Sequence, residues 1–176
     1  ISLPAIDVVL MGFNTELAIF ESPKQKHIDL AIKALEEVGL KDYIYHDYLC
    51  LSEGQKQLVL LARTMIENTK LLLLDEPDSA LDFQNRYSML NKLRTIIDEE
   101  EKSAILCLHD INLALYFSDQ IVLIDNGNVY DILYPKKDDV AYMEEKLSHL
   151  FGNIQLVCVQ HKNGNKHLCM LWENEI

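Results

Sequence analysis

The chain has 176 residues, enough for one domain or for one domain with a small appendage. Apolar residues make up 49% of it and charged residues 25%, which is enough for a packed core under an ordinary surface. The formal charge of -12 opposes binding to a polyanion, so nucleic acid is not expected as a partner, although an acidic surface also simply keeps a protein soluble.

Residues 22 to 68 read as mainly helical. Ser22-Pro23 supplies a cap and a first-turn proline, and Gln25 completes an S-x-x-Q capping box. Ile28, Ile32, Leu35 and Val38 then recur at helical spacing, and Gly39 offers a stop. Ser52 and Gln55 repeat the capping pattern ahead of a second stripe, Leu58, Leu61, Ala62, Met65 and Ile66. From residue 70 the period changes. Leu71 to Leu74 is a short, wholly apolar run, as expected of a strand buried on both faces of a parallel sheet. A helix follows with Phe83, Tyr87, Leu90, Leu93 and Ile97 on one side. Ala104 to Leu108 reads as a second buried strand, holding Cys107 as a buried thiol, and Asp110 can cap the helix after it. Ile121 to Ile124, Asn126-Gly127 and Val129 to Ile132 read as a hairpin. Tyr142 to Phe151 looks helical, and Ile154 to Val159 and Lys166 to Trp172 flank Asn163-Gly164 as a second hairpin. The alternation of strands and helices implies an α/β core with crossover helices.

No run approaches the roughly 18 apolar residues of a membrane span, and the N-terminus lacks the basic and apolar regions of a signal peptide. If the protein works at a membrane, another chain must do the spanning. The four cysteines, Cys50, Cys107, Cys158 and Cys169, form no C-x-x-C pair, and a reduced, cytosolic protein is the simplest account of them.

Three segments and one histidine carry candidate chemistry. Asp75-Glu76 ends the first buried strand, where α/β folds place their ligands. There Asp75 could hold Mg²⁺ through a water, and Glu76 could polarise an attacking water. Taken alone, Asp-Glu-Pro reads equally well as a strand-ending turn. Leu51-Ser52-Glu53-Gly54-Gln55 opens a helix whose free N–H groups and partial positive charge suit a phosphate. Gly54 lets the backbone come close and the Ser52 hydroxyl can donate; taken alone, the segment is an ordinary capping box. Ser79-Ala80-Leu81-Asp82 follows, and then His109 after the second strand.

In this order and spacing the motifs resemble the back half of the nucleotide-binding subunit of ATP-binding cassette (ABC) transporters, over about residues 7 to 132. Asp7-Val8-Val9-Leu10-Met11-Gly12 and Leu108-His109-Asp110-Ile111-Asn112-Leu113-Ala114 look most like the branch serving iron-siderophore, haem and cobalamin importers. The resemblance implies a partial P-loop NTPase core with a helical subdomain and a small C-terminal α+β appendage. Residues 1–68 would form the helical signature-motif subdomain, 69–132 the C-terminal half of the ATPase core and 133–176 the appendage. It implies catalytic roles for Glu76 and for His109, which would hydrogen-bond the γ-phosphate, and a Mg²⁺ role for Asp75. Ser52, Glu53, Gly54, Gln55 and Asp82 would contact ATP bound to a second copy. The implied partners are a second ATPase subunit and a transmembrane permease, at the cytoplasmic face of the membrane. Two other functions share these motifs: a soluble or DNA-associated ABC-type ATPase, and a non-catalytic module.

This chain departs from the family pattern in two places. Glu53 stands where the family usually has glycine, and a carboxylate so close to a phosphate site must point away or weaken binding. No G-x-x-x-x-G-K-[ST] phosphate loop occurs in the 176 residues. The chain is therefore expected to be a fragment or to have its missing strand supplied by another chain. Alone, it is expected to bind ATP weakly or not at all. Without a central phosphate-loop strand, Leu71 to Leu74 are expected to be partly uncovered.

Overall fold

The structure is a computed structural model that describes residues 2–17, 21–160, 162 and 164–173. The chain divides into two compact units, Ile1–Cys107 and Leu108–Ile176.

The first unit begins with helices α1 (Ala5–Leu10), α2 (Gln25–Glu37) and α3 (Glu53–Ile66). Their contact surfaces are built from small and branched residues, with Ala5, Val9, Ala31, Leu35, Val59 and Ala62 fully buried. The expected stripe on α2 is present through Leu35 and Val38, but its N-terminus differs from expectation. Lys24, not Ser22, is the cap residue, and its N–H donates to Nδ1 of His27 at 3.1 Å. That ring is buried against Phe13, with centroids 4.7 Å apart, so the imidazole takes the place of the expected Ser22–Gln25 box.

Strands β1 (Leu71–Asp75) and β2 (Ser103–Cys107) pair in parallel, from Leu71 opposite Ser103 to Asp75 opposite Cys107. Helix α4 (Phe83–Glu99) forms the crossover that a parallel pair requires. Burial on both faces is not observed. Leu72 is 3% exposed, but Leu71 is 49% exposed, Leu73 70% and Ile105 60%. Successive side chains of a strand point to opposite faces, and this two-stranded sheet has cover on one face only. Leu71 and Leu73 are thus uncovered, as the sequence leads one to expect. Cys107 is exposed for the same reason, which corrects its reading as a buried thiol. On α4 the buried residues are Met89, Leu90 and Leu93. Phe83 and Tyr87, about two turns and one turn upstream of Leu90, are exposed because the packing lies under the middle of the helix.

The second unit holds helix α5 (Ile111–Phe117), hairpin β3 (Ile121–Asp125) and β4 (Asn128–Leu133), helix α6 (Val140–Phe151) and hairpin β5 (Ile154–Gln160) and β6 (Lys166–Trp172). The β3–β4 turn has φ of +47° at Asn126 and +76° at Gly127, the left-handed pair that an Asn-Gly turn is suited to. Leu133, Met143 and Leu147 are fully buried at the centre of the core. Ile154, Leu156, Leu168 and Met170 close it from the second hairpin. Asn112 ties α5 to β6: its Oδ1 accepts from the Met170 N–H at 2.7 Å and its Nδ2 donates to the Met170 carbonyl at 3.3 Å. The turn residue Asn163 and His161 lie outside the described residues.

Candidate functional site

The N-terminus of α3 is built by its own sequence. Oγ of Ser52, the cap residue, accepts from the Gln55 N–H at 3.3 Å, and Oε1 of Gln55 accepts from the Ser52 N–H at 2.9 Å. Both halves of the capping box are therefore closed, and the Lys56 N–H makes the first helical bond, to the Ser52 carbonyl at 2.9 Å. The N–H groups of Glu53 and Gly54 have no carbonyl one turn back within the helix, which leaves two donors at its positive end. Glu53 points sideways: its Oε1 lies 2.8 Å from Nζ of Lys56.

The loop after β1 returns to this helix end. The Ser79 N–H donates to the Glu76 carbonyl at 3.2 Å and the Leu81 N–H to the Asp78 carbonyl at 3.0 Å, two successive turns that fold residues 76–81 tightly. Asp82 then caps α4, with Oδ1 accepting from the Asn85 N–H at 2.9 Å and Oδ2 from the Asn85 Nδ2 at 3.1 Å. The N-termini of α3 and α4 thereby line one cleft of about 420 Å³, with Ser52, Glu53, Gly54 and Gln55 on one wall and Ala80, Leu81, Asp82 and Asn85 on the other. Gly54 suits this close approach. A Cβ there would lie 3.0 Å from the Ala80 carbonyl oxygen and 3.3 Å from Cδ2 of Leu81.

Asp75 and Glu76 stand at the C-terminal end of β1, with Asp75 exposed. Glu76 has φ of +44°, a left-handed backbone that costs a residue with a Cβ about 1 kcal/mol or more. Cys107 lies opposite Asp75 on β2. Partial desolvation first, and then the charges of Asp75 and Glu76, push its thiol above the usual range. His109 is exposed and lies in the second unit, one residue before Asp110, which caps α5 by accepting from the Asn112 and Leu113 N–H groups at 2.9 and 3.3 Å.

The structure therefore brings Ser52, Glu53, Gly54, Gln55 and Asp82 together and sets Asp75 and Glu76 at the strand end of the same unit. Sequence reasoning passed over Lys56 and placed Cys107 in the core instead of beside Asp75. Lys56 was legible as an i,i+3 partner of Glu53, and Cys107 only from the register of a parallel pair.

Residues 8–79 match the family model for ABC transporters. The chain is 35% identical over 158 residues to a "Probable iron chelatin transport ATP-binding protein" of Helicobacter pylori strain 26695, a match covering 90% of this chain and 60% of that protein. Among solved structures it is similar to a metal-chelate type ABC transporter in an inward-facing conformation, with a TM-score of 0.82 and 27% identity over 98% of this chain and 68% of that one. The ATP-binding cassette MJ0796, solved as a post-hydrolysis dimer bound to ADP and Pi, matches with a TM-score of 0.69 and 25% identity over 77% of this chain and 58% of that one. The chain spans about half to three-fifths of the length of the curated relatives it matches. Motif order, family model, relatives and fold agree: residues 8–79 carry the ABC transporter family model, and the chain has the fold of ABC ATP-binding cassettes.

Proposed function

We propose that this chain acts as the ATP-binding and ATP-hydrolysing subunit of an ABC importer that takes up an iron chelate or a related metal chelate. The substrate class rests on the names of the relatives, an iron chelatin ATP-binding protein and a petrobactin import ATP-binding protein among them. The observation that carries the ATP-binding part is the cleft between the first turn of α3 and residues 80–82, walled by a glycine where a Cβ would sit tightly against the Ala80 carbonyl oxygen. It offers helix N–H donors where a phosphate of a second copy's nucleotide would lie.

In this reading two copies pair head to tail. Ser52, through its hydroxyl, and the Glu53 and Gly54 N–H groups bind the phosphates held by the partner, and Asp82 lines the same interface. Glu76 polarises the water for in-line attack, and His109 donates a hydrogen bond to the γ-phosphate. Catalysis is then mostly positioning and electrostatic stabilisation. Among the described residues no group of three or more His, Cys, Asp and Glu side chains forms a metal cage. A single strand-end carboxylate, Asp75, fits Mg²⁺, which is held through one or two carboxylates together with phosphates and waters. Mg²⁺ supplies charge neutralisation at the phosphates when bound. No helix among the described residues is long and apolar enough to cross a membrane, so a permease does the spanning. It would dock against residues 13–50 at the cytoplasmic face. Residues 1–68 serve as the helical subdomain, 69–132 as part of the ATPase core and 133–176 as an appendage.

The test is Glu76→Gln in the intact protein. ATP binding is retained and turnover falls by about 10²-fold or more, the usual loss on removing a general base. Normal turnover in that variant would overturn the role of Glu76.

A further inference from the structure

The cleft that is to receive a phosphate is lined by two carboxylates, Glu53 and Asp82, and by no cationic side chain. Asp82 is compensated within its own helix, since both of its oxygens accept from Asn85. Glu53 is the acidic residue of the first turn of α3, and left to itself its charge would oppose the positive end of the helix to an incoming anion. Lys56 lies three residues on, on the same face, and long helical side chains lean back toward the N-terminus. Its ammonium meets Oε1 of Glu53 at 2.8 Å. The pair is asymmetric: the Lys56 side chain is 21% exposed and the Glu53 side chain 78% exposed. The lysine is therefore the fixed member, and the carboxylate is drawn to it. The hydrogen bond to Glu53 first, and then the Glu53 charge, raise the Lys56 pKa, so the ammonium stays protonated.

We infer that Lys56 is a positioning residue that neutralises Glu53 and holds its carboxylate off the phosphate position, which lets a glutamate occupy this place in the motif. The inference rests on the nucleotide-binding reading above and deepens it. Lys56 acts through Glu53 and not through contact with the nucleotide.

A double-mutant cycle separates these possibilities. The intact protein carrying Glu76→Gln is titrated with ATP, and dimer formation is followed by light scattering. Lys56→Gln is expected to raise the ATP concentration needed by about two- to fivefold, the size of a charge effect at a helix terminus. Lys56→Arg restores the parent value, and in a Glu53→Gly background Lys56→Gln has no further effect. The penalty shrinks at high salt because the pair is exposed. Thermal unfolding is expected to be unchanged, since exposed ion pairs contribute little to stability. An unaltered titration in Lys56→Gln overturns the inference. So does an equal loss in both backgrounds, which would make Lys56 a direct phosphate ligand. If the parent protein itself shows no response to ATP, the nucleotide-binding reading fails and the inference falls with it. If the parent responds and the cycle is additive, only the inference fails.

Discussion

The parallel pair β1–β2 and the antiparallel pair β5–β6 are both two-stranded, yet one covered face leaves more apolar surface in water on the first than on the second. In β5–β6 the residues alternate. Ile154, Leu156, Leu168 and Met170 are buried, while Gln155 and Leu171 face out. One covered face satisfies such a sheet, and β5–β6 contributes to a closed core with Leu133, Met143 and Leu147. In β1 burial alternates too, with Leu72 buried and Leu71 and Leu73 exposed, but the run Leu71 to Leu74 is apolar at every position. A continuous apolar run needs two covering layers, and here it has one. The difference teaches that the pattern of a strand reports how many covers it needs, while the number it receives depends on the rest of the fold.

Three substitutions would break or sharpen this contrast. The largest effect is expected from Leu156→Ala, which empties part of a closed core and should cost about 2–5 kcal/mol. Trp172, the single tryptophan in the sequence, sits on the same hairpin and gives a fluorescence signal for urea unfolding of that unit. Asn112→Ala should cost about 1–3 kcal/mol by the same readout, because it leaves both polar groups of the Met170 backbone without their side-chain partner. Leu73→Ser should change stability by less than about 0.5 kcal/mol, since a 70% exposed side chain removes little apolar surface from water. A cost for Leu73→Ser as large as that for Leu156→Ala would show that the outer face of β1 is covered in solution.

Features decided within a few residues were legible in the sequence. The capping box of α3 is written in Ser52 and Gln55, the cap of α5 in Asp110, and the β3–β4 turn in Asn126-Gly127. Features decided by tertiary neighbours were not. Ser22 reads as a cap, but the buried imidazole of His27 captures the Lys24 N–H instead. Phe83 and Tyr87 continue the period of Leu90 and Leu93, but periodicity does not say where the packed surface ends. The Ser52–Gln55 and Ser79–Asp82 motifs were each readable, whereas their meeting in one cleft depends on how closely Gly54 lets the loop approach α3. The escape of Glu53 toward Lys56 was likewise a side-chain outcome that local spacing permits without requiring.

The central claim is that the first turn of α3 and the loop at residues 80–82 form one face that closes on a second copy's nucleotide. The most direct measurement is ATP-driven dimerisation of the intact Glu76→Gln protein, with and without Gly54→Asp, followed by light scattering. The account predicts a dimer that needs ATP and is lost when a side chain and a negative charge are forced between α3 and the Ala80 carbonyl. ATP-dependent dimers that form equally well with Gly54→Asp would contradict it.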